Sequence, residues 1–490
     1  NFVMKNPSNL STIQMLEKTS TGIEGLDELT NGGLPKNRTT LVTGGPGCGK
    51  TVMAMEFLMK GIEERDEPGV FFSFEEDLDS LIINFAALGY DLQKYVNDQL
   101  LVIEYVHLLE SDIVEAGEFT LEPIFLRLEH AIEQVGAKRV AIDTIETLFS
   151  ALTDTRKLRS EIKRLFVWLQ DKDVTAIVTG EKGQNALTRH GLEEYVSDCV
   201  IVLDHRIVEQ ISKRRLRIVK YRGSRHISDE TPFLISKDGI IVIPVTSLKL
   251  DHRALKSYIP TGIPNLDQMM DNKGYYRGTS ILLSGTSGTG KSSIAAKFAD
   301  ATCSRGEKCL YFSFEESVNQ ICRNMSSIGL NLDSYIDKKL LVIKSERTST
   351  LGLEEHLLKI MQTVNEVNPQ VLIMDPITNF FSVGNMLEIK TMLTRLLDYL
   401  KAKEITGFFT SLTGSDGNTE QTNTGISSIM DTWLIVRDYH HKNEKKRLFY
   451  LLKSRGMKHS QKIKEMLIYD EGIKLKDLDF NVAHTRKEFY

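Results

Sequence analysis

Short apolar runs alternate with amphipathic segments along most of the chain. "TTLVTG", "VFFSF", "RVAID" and "TAIVTG" are rich in β-branched and aromatic residues and predict buried strands. "KTVMAMEFLMKGIEE" and "KLRSEIKRLFVWLQ" carry apolar residues three and four apart and predict helices. This alternation is typical of a mainly parallel sheet flanked by helices, with ligands at the carboxyl ends of its strands. We expect the loops that carry the candidate chemistry to lie at that edge.

The same pattern occurs twice. "TGIEGLD" at position 21 returns as "TGIPNLD" at 261, and "FFSFEE" ending at 76 returns as "YFSFEE" ending at 316. The shift falls from 240 to 232 residues at the strand-ending Asp143 and Asp375, so the first copy has extra residues, which we assign to "EYVHLLESDIVEAGEFTLE". A period this long is a whole domain and not a solenoid repeat. We predict homologous domains at residues 1–247 and 248–490, joined near "VTSLKLDHRALK".

Composition limits the classes of function. With 490 residues, 41% of them apolar, the chain can bury more than one core. It has no run of eighteen apolar residues and no signal-like start, so we expect a soluble cytoplasmic protein without a membrane span. Five cysteines without metal-ligand spacing favour reduced thiols. A net charge of −5 argues against extensive nucleic-acid binding.

Two glycine-rich loops match G-x-x-x-x-G-K-[ST] between a predicted strand and a predicted helix: "GGPGCGKT" and "GTSGTGKS". In such loops backbone N–H groups and the helix N-terminus bind phosphate, and the lysine reaches the terminal phosphates. The occurrence of the motif twice in equivalent contexts favours ATP binding over a chance glycine-rich turn. The loop residues expected to contact ATP are Gly47, Cys48, Gly49, Lys50 and Thr51 in the first copy and Ser287, Gly288, Thr289, Gly290, Lys291 and Ser292 in the second.

Hydroxyl and carboxylate groups near these loops predict bound Mg²⁺. Thr51 and Ser292 supply the hydroxyl expected on the metal. Asp143 and Asp375 end apolar strands and fit the acidic residue that holds its hydration shell. We also expect Glu315 near the metal.

A pair of glutamates follows a predicted strand in each copy: Glu75 and Glu76, then Glu315 and Glu316. At the nucleotide end of the sheet, one carboxylate of each pair could orient or deprotonate an attacking oxygen. The alternative is that these residues only begin a helix, where acidic groups favour the macrodipole. We predict the catalytic role for all four.

A Lys-x-Arg pair also recurs, as Lys220 with Arg222 and Lys453 with Arg455. Residues two apart on a strand project from the same face, so the two cations of each pair are predicted to act together on phosphate. A solvated strand edge is the alternative. The recurrence of the pair in both copies favours a nucleotide held by a neighbouring subunit.

The chain resembles the KaiC family, the circadian-clock protein kinases and ATPases of cyanobacteria and their bacterial relatives. "DEPGVFFSFEE", "GLEEYVSDCVIVL", "KYRGSRH", "SGTSGTGKS", "EITGFFT" and "ISSIMDT" match it in order and spacing over nearly the whole chain. The resemblance implies tandem RecA-like domains stacked as two rings of a homohexamer, with ATP bound between subunits. It also implies nucleotide contacts at Lys220, Tyr221, Arg222, Ser224 and His226 in the first copy and at Arg447, Lys453, Ser454, Arg455 and His459 in the second.

The resemblance further implies that the two copies differ in activity. The family's adjacent autophosphorylation sites fall on Ser427 and Ser428, whereas the first copy has Glu194 and Tyr195 at the matching positions. The N-terminal ring is therefore expected to hydrolyse ATP. The C-terminal ring is expected to transfer phosphate to a serine of an adjacent subunit, with Glu315 as base.

Departures from the family bear on partners and rates. Pro376 replaces the usual Ser, and no arginine follows Asp375 before Arg395. The tail "LKDLDFNVAHTRKEFY" matches poorly the family tail that binds KaiA, so dependence on KaiA is not expected. A KaiB-like partner on the N-terminal ring is favoured.

Two other functions remain open. A RecA-type DNA motor would need basic or aromatic loops, but "GSDGNTEQTNTG" is polar and slightly acidic. A nucleotide-gated signalling scaffold would bind ATP and recruit partners with little transfer.

Overall fold

The structure of the protein is a computed structural model. It describes residues 16–107, 114–115, 118–119, 121–149, 155–183, 197–208, 211–237, 239–244, 254–413, 425–441, 444–470 and 472–478. The chain divides into two compact units, Asn1–Ser247 and Leu248–Tyr490. Residues 245–253, part of the stretch 245–256 in which we predicted the domain boundary, lie outside the described residues, as do nine of the nineteen residues of the segment assigned to the extra residues.

The first unit alternates strands and helices, as the apolar pattern predicts. Its strands are β1 Lys18–Thr19, β2 Leu34–Pro35, β3 Thr39–Gly44, β4 Gly69–Ser73, β5 Leu101–Tyr105, β6 Val114–Glu115, β7 Glu118–Phe119, β8 Arg139–Asp143, β9 Thr175–Glu181, β10 Cys199–Val208, β11 Ile211–Tyr221, β12 Thr231–Ser236 and β13 Gly239–Val242. Its helices are α1 Leu26–Leu29, α2 Lys50–Arg65, α3 Leu78–Ala86, α4 Leu92–Asn97, α5 Glu122–Val135, α6 Ile145–Phe149 and α7 Thr155–Asp171.

The second unit repeats this order of elements. Its strands are β14 Tyr258–Ile259, β15 Tyr275–Tyr276, β16 Ser280–Gly285, β17 Cys309–Ser313, β18 Leu341–Ser345, β19 Val371–Asp375, β20 Thr406–Leu412, β21 Thr432–His441, β22 Glu444–Ser454, β23 Lys464–Tyr469 and β24 Gly472–Asp477. Its helices are α8 Pro264–Met269, α9 Lys291–Ser304, α10 Val318–Ser326, α11 Asp333–Asp337, α12 Leu353–Val367 and α13 Met386–Ala402, with short 3-10 helices at Thr348–Thr350, Ile377–Ser382 and Ile426–Ser428.

Each unit contains a nine-stranded sheet with the same strand order. The first is β5-β4-β8-β9-β3-β10-β11-β12-β13, and the second is β18-β17-β19-β20-β16-β21-β22-β23-β24. The first six strands of each order are parallel, and the remaining three continue the sheet antiparallel. The predicted fold class, tandem domains with mainly parallel sheets, is confirmed.

Helices cover both faces of the sheet, which explains why the strands are apolar on both sides. On one face, Phe57 of α2 packs in a buried cluster with Phe71 of β4. On the other face, the next residue of β4, Phe72, belongs to a cluster with Leu128 of α5 and Leu165 of α7. Two cores on opposite faces hold the central strands in place, and the loops at the strand ends remain available for ligands.

Candidate functional site

Both predicted phosphate loops connect a central strand to a buried helix. In the first unit β3 ends at Gly44 and α2 begins at Lys50, and Gly49 between them has φ 104°. The matching Gly290 has φ 92°. A side chain at Gly49 would also approach Ile235 to 2.7 Å. Only glycine combines a left-handed backbone with this close approach, so the loop geometry depends on these residues.

The two loop lysines lie against the turn that they follow. Lys50 Nζ donates to the carbonyl of Gly44 at 2.9 Å, and Lys291 Nζ donates to those of Gly285 and Thr286 at 3.0 and 2.7 Å. Burial lowers the pKa of Lys291 to about 8, and the charges of Asp375 and Glu315 oppose this shift. Those carboxylates are therefore close enough to Lys291 to influence it electrostatically.

Oxygen groups converge beside each loop, as a Mg²⁺ site requires. Asp143 is hydrogen-bonded by the hydroxyls of Thr179 and Thr51, and burial raises the pKa of its carboxyl. In the second unit Asp375 accepts from Tyr311 Oη at 2.7 Å and from the Thr410 hydroxyl. These carboxylates and the adjacent loop hydroxyls fit a metal that keeps several waters and binds few protein ligands.

The two glutamates of the first pair have different partners. Glu75 is exposed and accepts a hydrogen bond from the Thr144 hydroxyl at 3.1 Å, which holds it beside the strand-ending Asp143. Glu76 accepts from Asn84 Nδ2 of α3 at 2.8 Å. Glu75 is therefore held beside Asp143, and Glu76 is tied to the following helix.

The second pair repeats this division with one difference. Glu316 accepts from Asn324 Nδ2 of α10 at 2.9 Å, and Glu315 is exposed. The position of Thr144 is occupied by Pro376, which has no hydroxyl. Glu315 therefore lacks the hydrogen bond that restrains Glu75. Sequence reasoning missed Thr144, Asn84 and Asn324, although the two asparagines each lie eight residues after their glutamate.

The serine pair and the second Lys-x-Arg pair form one cluster. Lys453 Nζ donates to the Ser427 carbonyl at 3.1 Å, and Arg455 Nη2 donates to the Ser428 carbonyl at 2.7 Å. Cations at the C-terminal carbonyls of a short helix satisfy groups that have no backbone partner there. The Ser428 hydroxyl donates to the Gly425 carbonyl at 2.7 Å. The two cations therefore hold the backbone of the turn that carries both serines.

This cluster lies at the amino end of the parallel strands, opposite the phosphate loop. Thr432, which begins β21, pairs with Ile281 near the start of β16, whereas Val436 pairs with Gly285 at its end. The expectation that all candidate loops lie at the carboxyl edge is wrong for the serine pair, which precedes the parallel strand β21. It is also wrong for both Lys-x-Arg pairs, because β11 and β22 run antiparallel and return the chain to the amino edge.

The expectation that both cations of each Lys-x-Arg pair lie on a strand is also wrong. Arg222 and Arg455 do not lie on strands, since β11 ends at Tyr221 and β22 ends at Ser454. Arg222 begins a turn, and its guanidinium lies 3.7 Å from Asp198. In each pair the lysine therefore lies near the end of a strand, and the arginine lies in the turn that follows it.

The remaining predicted contacts divide between the same two edges. Tyr221 donates to the Gly33 carbonyl at 2.7 Å and stacks with His226, and Ser224 accepts from Lys18, all at the amino edge. His459 lies between β22 and β23. Arg447 differs, since it pairs with Asp438 beyond Val436 and so lies on the side of the phosphate loop. Glu194 and Tyr195 fall outside the described residues.

The described residues add three further findings. Among them, no helix is long and apolar enough to cross a membrane. Nor do they contain a group of three or more histidine, cysteine or acidic side chains arranged to hold a metal ion. The five cysteines are free and buried, in keeping with the reduced thiols expected from their spacing.

A phosphate loop, a strand-ending aspartate and an adjacent glutamate on a mainly parallel sheet define tandem RecA-like P-loop ATPase domains. The family described as "ATPase: KaiC" matches residues 19–247 and again 259–479, and the chain belongs to this family. It is 49% identical over 472 residues to circadian clock protein KaiC2 of Synechocystis sp., covering 96% of this chain and 82% of that protein. It is 35% identical over 474 residues to circadian clock oscillator protein KaiC of Parathermosynechococcus lividus, covering 96% and 87%.

Proposed function

We propose that the protein is an ATPase and serine autokinase of the KaiC type, assembled as a homohexamer of two stacked rings. The N-terminal domains hydrolyse ATP, and the C-terminal domains transfer phosphate to Ser427 or Ser428 of the adjacent subunit. The observation that carries this proposal is that the phosphate loop and the serine pair lie at opposite edges of one sheet.

The separation supports transfer between chains over transfer within one chain. Thr432 and Val436 mark the two edges of the sheet on β21 and are four residues apart, which corresponds to about 13 Å along the strand. The serines precede Thr432 and so lie at least this far from the level of the phosphate loop. An acceptor oxygen must approach to about 3 Å and in line with the leaving group. In a closed ring the interface is head-to-tail, so the carboxyl edge of one subunit can meet the amino edge of the next.

The second domain supplies a group for each part of the transfer. Lys291 and the loop backbone would bind the phosphates, and Ser292 and Asp375 would hold Mg²⁺, which would offset negative charge on the phosphates. The acceptor Oγ attacks the γ-phosphorus, its proton passes to the Glu315 carboxylate, and the bond to the leaving ADP oxygen breaks. Lys453 and Arg455 present the serine turn from the neighbouring subunit.

The first domain is suited to water as acceptor. Thr144 fixes the Glu75 carboxylate beside Asp143, which favours orienting a small nucleophile. The matching residues for a serine acceptor are Glu194 and Tyr195, neither of which offers a serine hydroxyl. We propose hydrolysis there, with a KaiB-like partner on the same ring and no requirement for KaiA.

Intact-mass analysis of the protein incubated with Mg-ATP tests this function. We expect phosphorylation of native protein and none at these positions in the variant with Ser427→Ala and Ser428→Ala. Sedimentation should show that ATP, or an analogue that is not hydrolysed, favours the hexamer. Assembly without any added phosphate would support the signalling scaffold instead. Retention on single-stranded DNA at physiological salt would support the DNA motor, which the net charge of −5 disfavours.

A further inference from the structure

A polar cavity of about 450 Å³ lies beside Glu315 in the second unit, and we call it the Glu315 cavity. Its lining includes Glu315, Arg347, Thr348, Ser349, Asn379 and Ser382. These residues come from the loops after β17, β18 and β19, three neighbouring strands at one edge of the parallel sheet.

Hydrogen bonds fix the floor of this cavity. The Thr348 hydroxyl donates to the Asn379 carbonyl at 2.8 Å and lies 3.1 Å from Ser382 Oγ. The Thr348 carbonyl lies 2.9 Å from Nε2 of the buried His356. Asn379 Nδ2 donates to the Phe314 carbonyl at 3.2 Å. The backbone beside Arg347 and that beside Glu315 are therefore held in a fixed relation.

Among the described residues, the two charged groups on the cavity wall form no ion pair. Within the described part of the chain, neither the Arg347 guanidinium nor the Glu315 carboxylate forms an ion pair within 4.0 Å, and the two do not pair with each other. Both side chains are exposed. The cavity thus offers one free base and one free guanidinium, and a ligand with both a hydroxyl proton and an anionic group would satisfy both.

Arg347 is too far from the phosphate loop of its own domain to contact that loop's γ-phosphate. It follows β18, which is separated from β16 by β17, β19 and β20. Four strand spacings correspond to about 19 Å, well beyond the reach of an arginine side chain. Glu315 follows β17 and lies between them, close enough to affect the pKa of Lys291. Glu315 therefore borders both the cavity and the nucleotide site, and Arg347 lies at the end of the cavity away from the nucleotide.

We propose that the Glu315 cavity is the subsite for the serine turn of the adjacent subunit, and that Arg347 binds the phosphoserine formed there. This inference rests on the proposed function and deepens it. Glu315 accepts the proton of the serine hydroxyl as the new O–P bond forms, and ADP leaves with the bridging oxygen. Arg347 then pairs with the phosphoserine oxygens, for which its planar fork of N–H donors is suited.

The first copy does not have this guanidinium. The shift of 240 residues that relates the two copies in this region places His107 at the position of Arg347. At this position, only the copy that carries the serine pair has an arginine. This distribution is expected if Arg347 binds the phosphorylated serine. A residue that binds ATP would be expected in both copies, because both have a phosphate loop.

Protection of the phosphoserine from an added non-specific phosphatase tests the proposal. Native protein, Arg347→Ala, Arg347→Lys and Lys344→Ala are first phosphorylated with Mg-ATP and measured by intact mass. Lys344 is the control because it is an exposed cation on β18 that does not line the cavity. We expect Arg347→Ala to lose phosphate about tenfold faster than native protein, the effect of losing one charged hydrogen bond. Arg347→Lys should be intermediate, and Lys344→Ala should match native protein.

The other outcomes have distinct meanings. If Arg347→Ala acquires no phosphate but Arg347→Lys does, the result supports a cation at this position that assists the transfer itself. Equal phosphorylation and equal protection in native and Arg347→Ala protein would overturn the role of Arg347 while leaving the autokinase intact. Equal effects of Arg347→Ala and Lys344→Ala would also overturn it. Native protein that forms no phosphoserine would refute the proposed function, and this inference with it.

Discussion

Thr144 donates its hydroxyl hydrogen bond to the carboxylate of Glu75 at 3.1 Å. This contact joins the residue after a strand-ending aspartate to the first glutamate of the adjacent loop. The second domain has Pro376 in place of the threonine, so its Glu315 lacks this restraint. A fixed carboxylate suits a single water molecule, and a less restrained one can follow a serine turn as it enters. We infer that this one position contributes to the different activities proposed for the two domains.

Replacing Thr144 should therefore slow ATP hydrolysis in the first domain. We expect Thr144→Val to lower the rate about tenfold, because the charged hydrogen bond that orients Glu75 is lost. Thr144→Ser keeps the hydroxyl and should retain most activity. Phosphate release is measured in a Lys291→Ala background, so that the second phosphate loop does not contribute. An unchanged rate for Thr144→Val would show that this hydrogen bond does not orient the base.

The two glutamates of the first domain should not be equivalent in hydrolysis. Glu75→Gln is expected to lower steady-state hydrolysis about a hundredfold, the usual effect of removing a general base. Glu76→Gln should have a small effect, because Glu76 is engaged by Asn84 at 2.8 Å and a glutamine oxygen can accept the same bond. Phosphorylation of the second domain, followed by intact mass, should persist in both variants. A larger loss for Glu76→Gln would reverse the assignment.

The sequence was sufficient for those features that depend on local rules. A lysine after a run of glycines between a strand and a helix has one common structural context, so Lys50 and Lys291 were predicted to begin helices, and they do. The tandem domains followed from the internal repeat. Alternation of apolar strands and amphipathic helices was sufficient to predict the mainly parallel sheets.

Other features depend on contacts between distant segments. Nothing local distinguishes Glu75 from Glu76, because their difference comes from Thr144 and Asn84, which the fold brings together. The spacing of Lys453 and Arg455 could not show which sheet edge they occupy, since this depends on the antiparallel return of β22. Their contacts with the serine turn follow from that return and were not predicted.

The stability of the first domain should depend on pH through Glu56. This residue of α2 is almost fully buried and accepts from the Ile240 N–H of β13 at 2.8 Å. Burial raises the pKa of Glu56 to about 7. Because the folded-state pKa lies above the unfolded value, the protonated form favours folding, and its contribution is lost as the pH rises through 7.

Glu56→Gln mimics the protonated carboxyl and should remove this part of the pH dependence. We expect the melting temperature of the first domain to fall less between pH 6 and pH 8 in Glu56→Gln than in native protein, as measured by calorimetry. Glu133→Gln, at an exposed position of α5, should behave like native protein. If Glu56→Gln and native protein lost stability equally over this range, Glu56 would not be the titrating group.

Gly61 of α2 should be intolerant of a side chain, although glycine usually weakens a helix interior. An added Cβ would lie 2.4 Å from Cδ and Nε of Arg139. Arg139 is buried and donates to the Phe57 and Ser20 carbonyls at 2.8 and 2.9 Å, so it cannot move away freely. We expect Gly61→Ala to destabilise the first domain by about 1–3 kcal/mol, since overpacking outweighs the helix propensity of alanine.

The second domain provides the matched control for this prediction. At the positions of Gly61 and Arg139 it has Ala301 and Val371, a small residue against a short one. Adding Arg139→Val to Gly61→Ala reproduces that pair and removes the overlap. The double variant should therefore be more stable than the sum of the two single effects, as measured by denaturant unfolding. Strict additivity would show that the clash does not determine the effect of alanine.

The proposed transfer between subunits gives the most specific prediction, because Lys291 and the serines occupy opposite edges of the sheet. Two inactive variants divide the reaction between them. Lys291→Ala weakens ATP binding in the second domain but keeps both serines. The double variant with Ser427→Ala and Ser428→Ala binds ATP but has no acceptor. Neither variant alone should acquire phosphate at these positions.

Mixed hexamers of the two variants should regain phosphorylation, and only on the Lys291→Ala subunits, whose serines lie beside the loop of a serine-free neighbour. The two subunit types differ in mass, so intact-mass analysis assigns the phosphate directly, and native mass spectrometry first establishes that subunits exchange. Random mixing in equal amounts places about half of the Lys291→Ala serines beside a competent loop, because each interface joins two independently chosen subunits. The phosphorylated fraction of these subunits should therefore approach one half and rise as the serine-free variant is added in excess. A fraction that stays at zero after exchange would require transfer within one chain, which the separation of the two sheet edges does not permit without rearrangement of the domain.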